Sequence, residues 1–179
     1  EASRVVALPK FKSFWVQSVA AFPDGRFAVL SIERLPFSQA DHLTLHQPDG
    51  SQIWDKSEQG YGGSNEDMLS PEAVAIDAKG RLVVLDNIRH SLQFFKADGK
   101  FDGIIDLDKK WGKRASYPTE ITCLPGGRFW LYDFGSSQPC LLLDSTGKIL
   151  RETKPAYPSG LTRSPASLLA PRSSSFCAS

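Results

Sequence analysis

The sequence predicts an all-β fold in which four-stranded antiparallel sheets lie side by side as the blades of an incomplete β-propeller. Three observations carry this. The first is an internal repeat: Ser18–Leu30 (SVAAFPDGRFAVL), Ala73–Leu85 (AVAIDAKGRLVVL) and Glu120–Tyr132 (EITCLPGGRFWLY) share one scheme of apolar strand, Gly-Arg turn and apolar strand. The second is a further turn in each copy, at Pro48-Asp49-Gly50-Ser51, Ala97-Asp98-Gly99-Lys100 and Ser145-Thr146-Gly147-Lys148. Glycine accepts the positive φ of a tight hairpin, so each copy holds at least two hairpins. The third is the second strand of each copy, Phe27–Leu30, Leu82–Leu85 and Phe129–Tyr132, which is apolar on successive residues instead of alternating. Such runs call for burial on both faces, the environment of a sheet between two other sheets. Units of about 48 residues with four strands each match a propeller blade.

In chain order, residues 1–16 form an N-terminal segment with Val5-Val6-Ala7-Leu8 and Phe14-Trp15-Val16. The first run is a candidate for a strand that closes a ring by completing a blade from the other chain end, with a plain edge strand as the alternative. Residues 17–160 hold three blades, at about 17–56, 70–107 and 117–153. The first copy carries about six extra residues, placed around Glu33–Ala40 between its second and third strands, since insertions are best tolerated in connections. In the second copy Val74–Ile76, Leu82–Leu85, Leu92–Phe95 and Lys100-Phe101 are the strands. Pro158-Ser159-Gly160-Leu161-Thr162 is in register to open a fourth blade, and residues 161–179, rich in Ser, Pro and Ala, read as a partial fourth blade or a flexible tail. Three blades do not close a ring, because closed propellers use about four to eight. The chain is therefore expected to be part of a larger propeller, or to be completed by a second copy or another protein.

The second copy resembles an NHL repeat, the blade type of many six-bladed propellers. The likeness rests on Asp86-Asn87-Ile88-Arg89-His90-Ser91-Leu92-Gln93-Phe94-Phe95 followed by Asp98-Gly99-Lys100-Phe101, and on the glycine-rich Gly60-Tyr61-Gly62-Gly63 leading to Leu69-Ser70-Pro71. The third copy keeps Asp133 and Gly147-Lys148; the first keeps mainly its turns. The resemblance covers roughly residues 15–160 and speaks to fold more than to chemistry.

Composition narrows the function. A formal net charge of +1 gives no global field toward nucleic acid or anionic membrane, and no apolar run is long enough to span a bilayer. Three cysteines, Cys123, Cys140 and Cys177, do not make a disulfide framework or a zinc site, and the first two sit in apolar strands where packing is their expected role. A first residue of Glu instead of Met tilts the expectation toward an extracytoplasmic or secreted protein. No nucleophile elbow, phosphate loop or zincin motif occurs.

Candidate ligand-binding residues are those entering the first strands, where propeller loops converge on the mouth of the central channel: Gln17, Glu72 and Glu120. Two converging carboxylates hold an oxygen-seeking cation such as Ca²⁺ or raise one another's pKa. The family likeness permits a channel metal, as in six-bladed lactonases, but the matching Asn and Asp set is missing, so solvated loop glutamates are the plainer account and no cofactor is expected. Asp77 and Asp86 are expected to tie loop N–H groups, and Arg89 and His90 to be structural. Lys109, Lys110, Trp111, Lys113 and Arg114 form the one local basic cluster. It is read as a solvated loop or a protein-binding edge, with nucleic acid disfavoured by the adjacent Asp106 and Asp108. The expectation is a non-catalytic binding or scaffold module for protein–protein interaction through inter-blade loops or open blade faces. The alternative is a fragment of a six-bladed hydrolase or lyase with a divalent metal in the channel.

Overall fold

Each strand pairs with its neighbour in sequence, so the chain lays down one sheet after another. A computed structural model describes residues 14–36, 38–59, 63–111, 118–132 and 140–153. The first sheet is β1 (Phe14–Ala21), β2 (Phe27–Arg34), β3 (Gln39–His46) and β4 (Gln52–Gln59). The second is β5 (Pro71–Ile76), β6 (Leu82–Asp86), β7 (Ser91–Phe95) and β8 (Phe101–Asp106). The third is β9 (Glu120–Leu124), β10 (Arg128–Tyr132), β11 (Cys140–Leu143) and β12 (Ile149–Thr153). All three are antiparallel and run in chain order.

The repeated turns occupy equivalent corners. Gly25, Gly80 and Gly127 lie between first and second strands with φ of 88°, 74° and 72°. The second turns share one hydrogen-bond scheme: Gly50 N–H donates to Gln47 O, Gly99 N–H to Lys96 O and Gly147 N–H to Asp144 O. Two of these glycines have a further task. A Cβ on Gly99 would sit 3.2 Å from the Trp54 ring of β4, and one on Gly147 would collide with Ile105 of β8. Each second turn thus presses on the fourth strand of the preceding sheet, and Trp54 Nε1–H seals the first such contact by donating to Ala97 O at 3.0 Å.

Stacking buries the middle sheet on both sides. Val74, Leu82, Val84 and Phe95 pack against Ala28, Leu30, Leu43 and Leu45 of the first sheet, with Met68 and Phe22 closing the cluster. The alternate residues Ala73, Ala75, Val83, Leu85, Leu92 and Phe94 pack against Ile121, Phe129, Leu131, Leu141 and Leu143 of the third. All five residues of β6 and of β7 are buried. The first strands of the sheets adjoin, β1 on β5 and β5 on β9. Ser18 Oγ accepts the Val74 N–H across the first of these seams at 3.1 Å, filling a polar position that the edge of β5 would otherwise leave open.

The structure departs from the sequence reading in four places. The extra residues of the first copy do not form a longer connection: β2 and β3 have eight residues each where β6 and β7 have five, and a tight turn with Leu35 N–H on Ser38 O links them. A hairpin extended in pairs keeps every added N–H and C=O bonded, which a loose loop would not. Phe14, Trp15 and Val16 belong to β1 and not to a separate N-terminal segment. The segment after β8 opens with a one-turn helix, α1 (Leu107–Trp111), anchored by buried Leu107. Finally, two-faced burial holds for β6 and for Ala28–Ser31 of β2, whereas β10 alternates between buried and more exposed residues because nothing described covers the outer face of the third sheet. The Val5–Leu8 strand, the proposed fourth blade and the 161–179 segment lie outside the described residues.

Candidate functional site

The segment entering the second sheet, residues 63–70, is held down by three side chains of that sheet. Asp86, fully buried, accepts N–H bonds from Leu69 (2.6 Å) and Ser70 (3.3 Å) on Oδ2 and from Arg89 (2.9 Å) on Oδ1. Arg89 donates from Nε to Asp67 O at 2.7 Å and from Nη2 to Ser64 O. Gln93 Nε2 donates to Asn65 O and Asp67 O, both at 2.9 Å. The left-handed φ of 46° at His90 lets the β6–β7 connection turn tightly, and its Nδ1 meets Asp108 Oδ1 at 2.9 Å. Asp77 ties the first hairpin turn through Lys79 N–H and Arg81 N–H, both at 2.9 Å. These residues do the structural work expected of them.

Beneath this segment polar side chains of the first and second sheets stand on facing sides of the inter-sheet space, the crevice between the two sheets. Asp86 pairs with Ser91 and Val84 with Gln93, so Ser91 and Gln93 share the face of Leu82 and Phe95 that looks toward the first sheet. Asp41 precedes Leu43 and Leu45 on the opposing face of β3. It is 6% exposed, and burial, reinforced by the carboxylates of Asp86 and Glu72, pushes its pKa up to about 6. Asp41 Oδ1, Ser91 Oγ and Gln93 Oε1 are buried with no hydrogen-bond partner among the described residues. The sequence analysis missed this group, although the period-two spacing Asp41-x-Leu43-x-Leu45 puts an acid on an inward face.

The residues singled out from sequence scatter differently. Gln17 is exposed at the irregularity between Val16 and Ser18 of β1. Glu72 and Glu120 are half-buried on the adjoining strands β5 and β9, and Ser70 Oγ approaches Glu72 Oε1 at 3.5 Å. Lys109 and Lys110 are exposed on α1, with Lys109 Nζ 2.9 Å from Asp106 Oδ2; only the backbone of Trp111 is described, and Lys113 and Arg114 lie outside the described residues. Among the described residues no three His, Cys, Asp or Glu side chains are grouped to hold a metal ion. Burial pushes the Cys123 thiol up to about 12, which keeps it protonated and suits a packing role. On the outer face of the first sheet His42 sits between Asp55 (3.2 Å) and Glu33 (3.4 Å), an ionic ladder across β2, β3 and β4. No described helix is long and apolar enough to cross a membrane.

No protein-family model matches the chain, and no curated protein sequence matches it. Solved structures do. The chain is similar to a protein of unknown function from Bacteroides caccae at 14% identity and a TM-score of 0.52, over 83% of this chain and 48% of that one. It is similar to a candidate gluconolactonase at 16% and 0.53, over 77% and 47%. A luciferin-regenerating enzyme aligns at 15% and 0.54, over 80% and 47%. At such identities the likeness shows the fold: consecutive four-stranded propeller blades, three of them among the described residues. The chain spans about half the length of these solved structures.

Proposed function

We propose that the chain is a non-catalytic, NHL-like propeller module whose end sheets bind a further sheet of the same kind, supplied by a protein partner or a second copy. The observation that carries this reading is the contrast between the sheets. The middle one hides both faces, while the first exposes Val16 and Val19 at 52% and 56% and the third exposes Leu150 at 51%. Apolar blade faces that are buried when neighbours exist are interface surfaces when they do not. At the rim of the first sheet Trp15, 63% exposed under the Arg34 guanidinium at 5.2 Å, adds the aromatic–arginine pair that protein interfaces favour. The exposed Lys109 and Lys110 supply a polar margin on the second sheet's side.

Sedimentation of the full chain tests this. Association to a defined assembly is expected, and it is lost in a V16K/V19K double variant whose melting temperature stays that of the parent. A parent that sediments as a monomer at every concentration, indistinguishable from the variant, overturns completion by a second copy. The placement of Glu72 and Glu120 on adjoining first strands favours one rival, a channel-metal hydrolase or lyase. Under that rival Glu120→Gln abolishes metal uptake.

A further inference from the structure

We propose that the crevice between the first and second sheets is a binding site for a hard, oxygen-seeking cation of the calcium class, liganded by Asp41, Ser91 and Gln93. This site uses neither Glu72 nor Glu120 as a ligand and does not depend on what covers the end sheets. Three buried oxygens, Asp41 Oδ1, Ser91 Oγ and Gln93 Oε1, face one inter-sheet space and have no hydrogen-bond partner among the described residues. Gln93 is fully buried, Ser91 is 1% exposed and Asp41 6%. Leaving polar atoms unpaired at this depth is costly, so such a cluster requires an occupant.

Counting donors and charges identifies the occupant. A water molecule donates two hydrogens and accepts one from the Ser91 hydroxyl, which would satisfy the three atoms but leave the charge untouched. That charge is opposed by the Asp86 and Glu72 carboxylates and favoured in part by His42. Asp86 is supplied by three backbone N–H groups, and the Arg89 guanidinium on the crevice roof donates to the carbonyls of Ser64 and Asp67. His42, next along β3, points to the opposite face, toward Asp55 and Glu33. A cation places positive charge directly at Asp41 and prefers this donor type. Calcium takes about six to eight oxygens from carboxylates, amide carbonyls and waters and tolerates irregular geometry. Asp41 then contributes the charged ligand, Gln93 the amide oxygen, and Ser91 orients a ligand water or binds directly.

The test is a calorimetric calcium titration of the full chain after dialysis against a chelator, with melting temperature as a second readout. The parent is expected to bind one Ca²⁺ and to melt higher with it. Asp41→Asn and Ser91→Ala are each expected to weaken binding at least tenfold, whereas Glu120→Gln leaves it unchanged. A parent that neither binds calcium nor gains stability from it overturns the proposal and leaves the crevice to water. So does calcium binding that survives Asp41→Asn and Ser91→Ala but disappears in Glu120→Gln, which would place the ion at the channel. Should Asp41→Asn fail to fold, Ser91→Ala carries the comparison alone.

Discussion

Replacing Asp41 by Asn in the absence of divalent cations should stabilise the protein at neutral pH, against the usual direction for a buried mutation. In the folded chain the Asp41 pKa is raised from 3.8 to about 6, first by burial and then by the charges of Asp86 and Glu72. A raised carboxyl pKa means that the folded state holds its proton longer than the unfolded one. Stability from this group is therefore complete below the unfolded pKa, falls as pH climbs from about 4 to about 6, and stays reduced above that. A shift of roughly two pH units at about 1.4 kcal/mol each amounts to about 3 kcal/mol. Asparagine has no charge to desolvate, and its amide can donate hydrogen bonds that the carboxylate cannot. Urea unfolding of parent and variant in chelator, at about pH 3 and about pH 7.5, reads the effect. The two proteins should match at the lower pH, and the variant should lead by up to about 3 kcal/mol at the higher. Surface carboxylates held low by turn hydrogen bonds, such as Asp98 and Asp144, titrate identically in both and cancel in the difference. A variant less stable at the higher pH, or a difference that does not change with pH, would refute the electrostatic account of the crevice.

Three further outcomes follow from the packing. Asp86→Ala leaves the N–H groups of Leu69, Ser70 and Arg89 without their acceptor and should cost at least about 3 kcal/mol in urea unfolding, at roughly 1–3 kcal/mol per orphaned buried donor. Gly99→Ala and Gly80→Ala both force a side chain into positive φ, at about 1–2 kcal/mol each; only the first also meets the Trp54 ring at 3.2 Å, so its loss of melting temperature should be clearly the larger. Phe95→Ala, fully buried in the middle sheet, should cost about 3–5 kcal/mol, whereas Val19→Ala on the outer face of the first sheet should change the monomer's stability by less than about 0.5 kcal/mol.

The repeat was legible because turns are local. Gly25, Gly80 and Gly127 need positive φ regardless of what surrounds them, so their spacing carries the architecture. The extra length of the first copy misled because Glu33, Arg34, Gln39 and Asp41 are polar residues that read as loop, yet they extend β2 and β3 through paired backbone bonds. The one-turn helix at Leu107–Trp111 is too short to show a period. The uninterrupted apolar runs promised two covered faces for every second strand; β6 and Ala28–Ser31 of β2 have them, while β10 keeps the composition with one face more open, since sequence records what a strand can bury and not which neighbours are present. The crevice was hidden for the opposite reason. Asp41, Ser91 and Gln93 come from different sheets, and only their stacking brings them together.

The contacts of Gly99 with Trp54 and of Gly147 with Ile105 give each boundary between sheets its own spacer at the outer rim. Fan-like spreading of successive blades is thereby a pairwise property, written half in one unit's last strand and half in the next unit's final bend. A blade transplanted from elsewhere would keep its own fold but arrive with the wrong wedge, unless its bend and the host's last strand were exchanged as a matched couple. Growth or shrinkage of such an arc by whole units is thus easiest when the cut falls within a sheet, leaving every boundary intact.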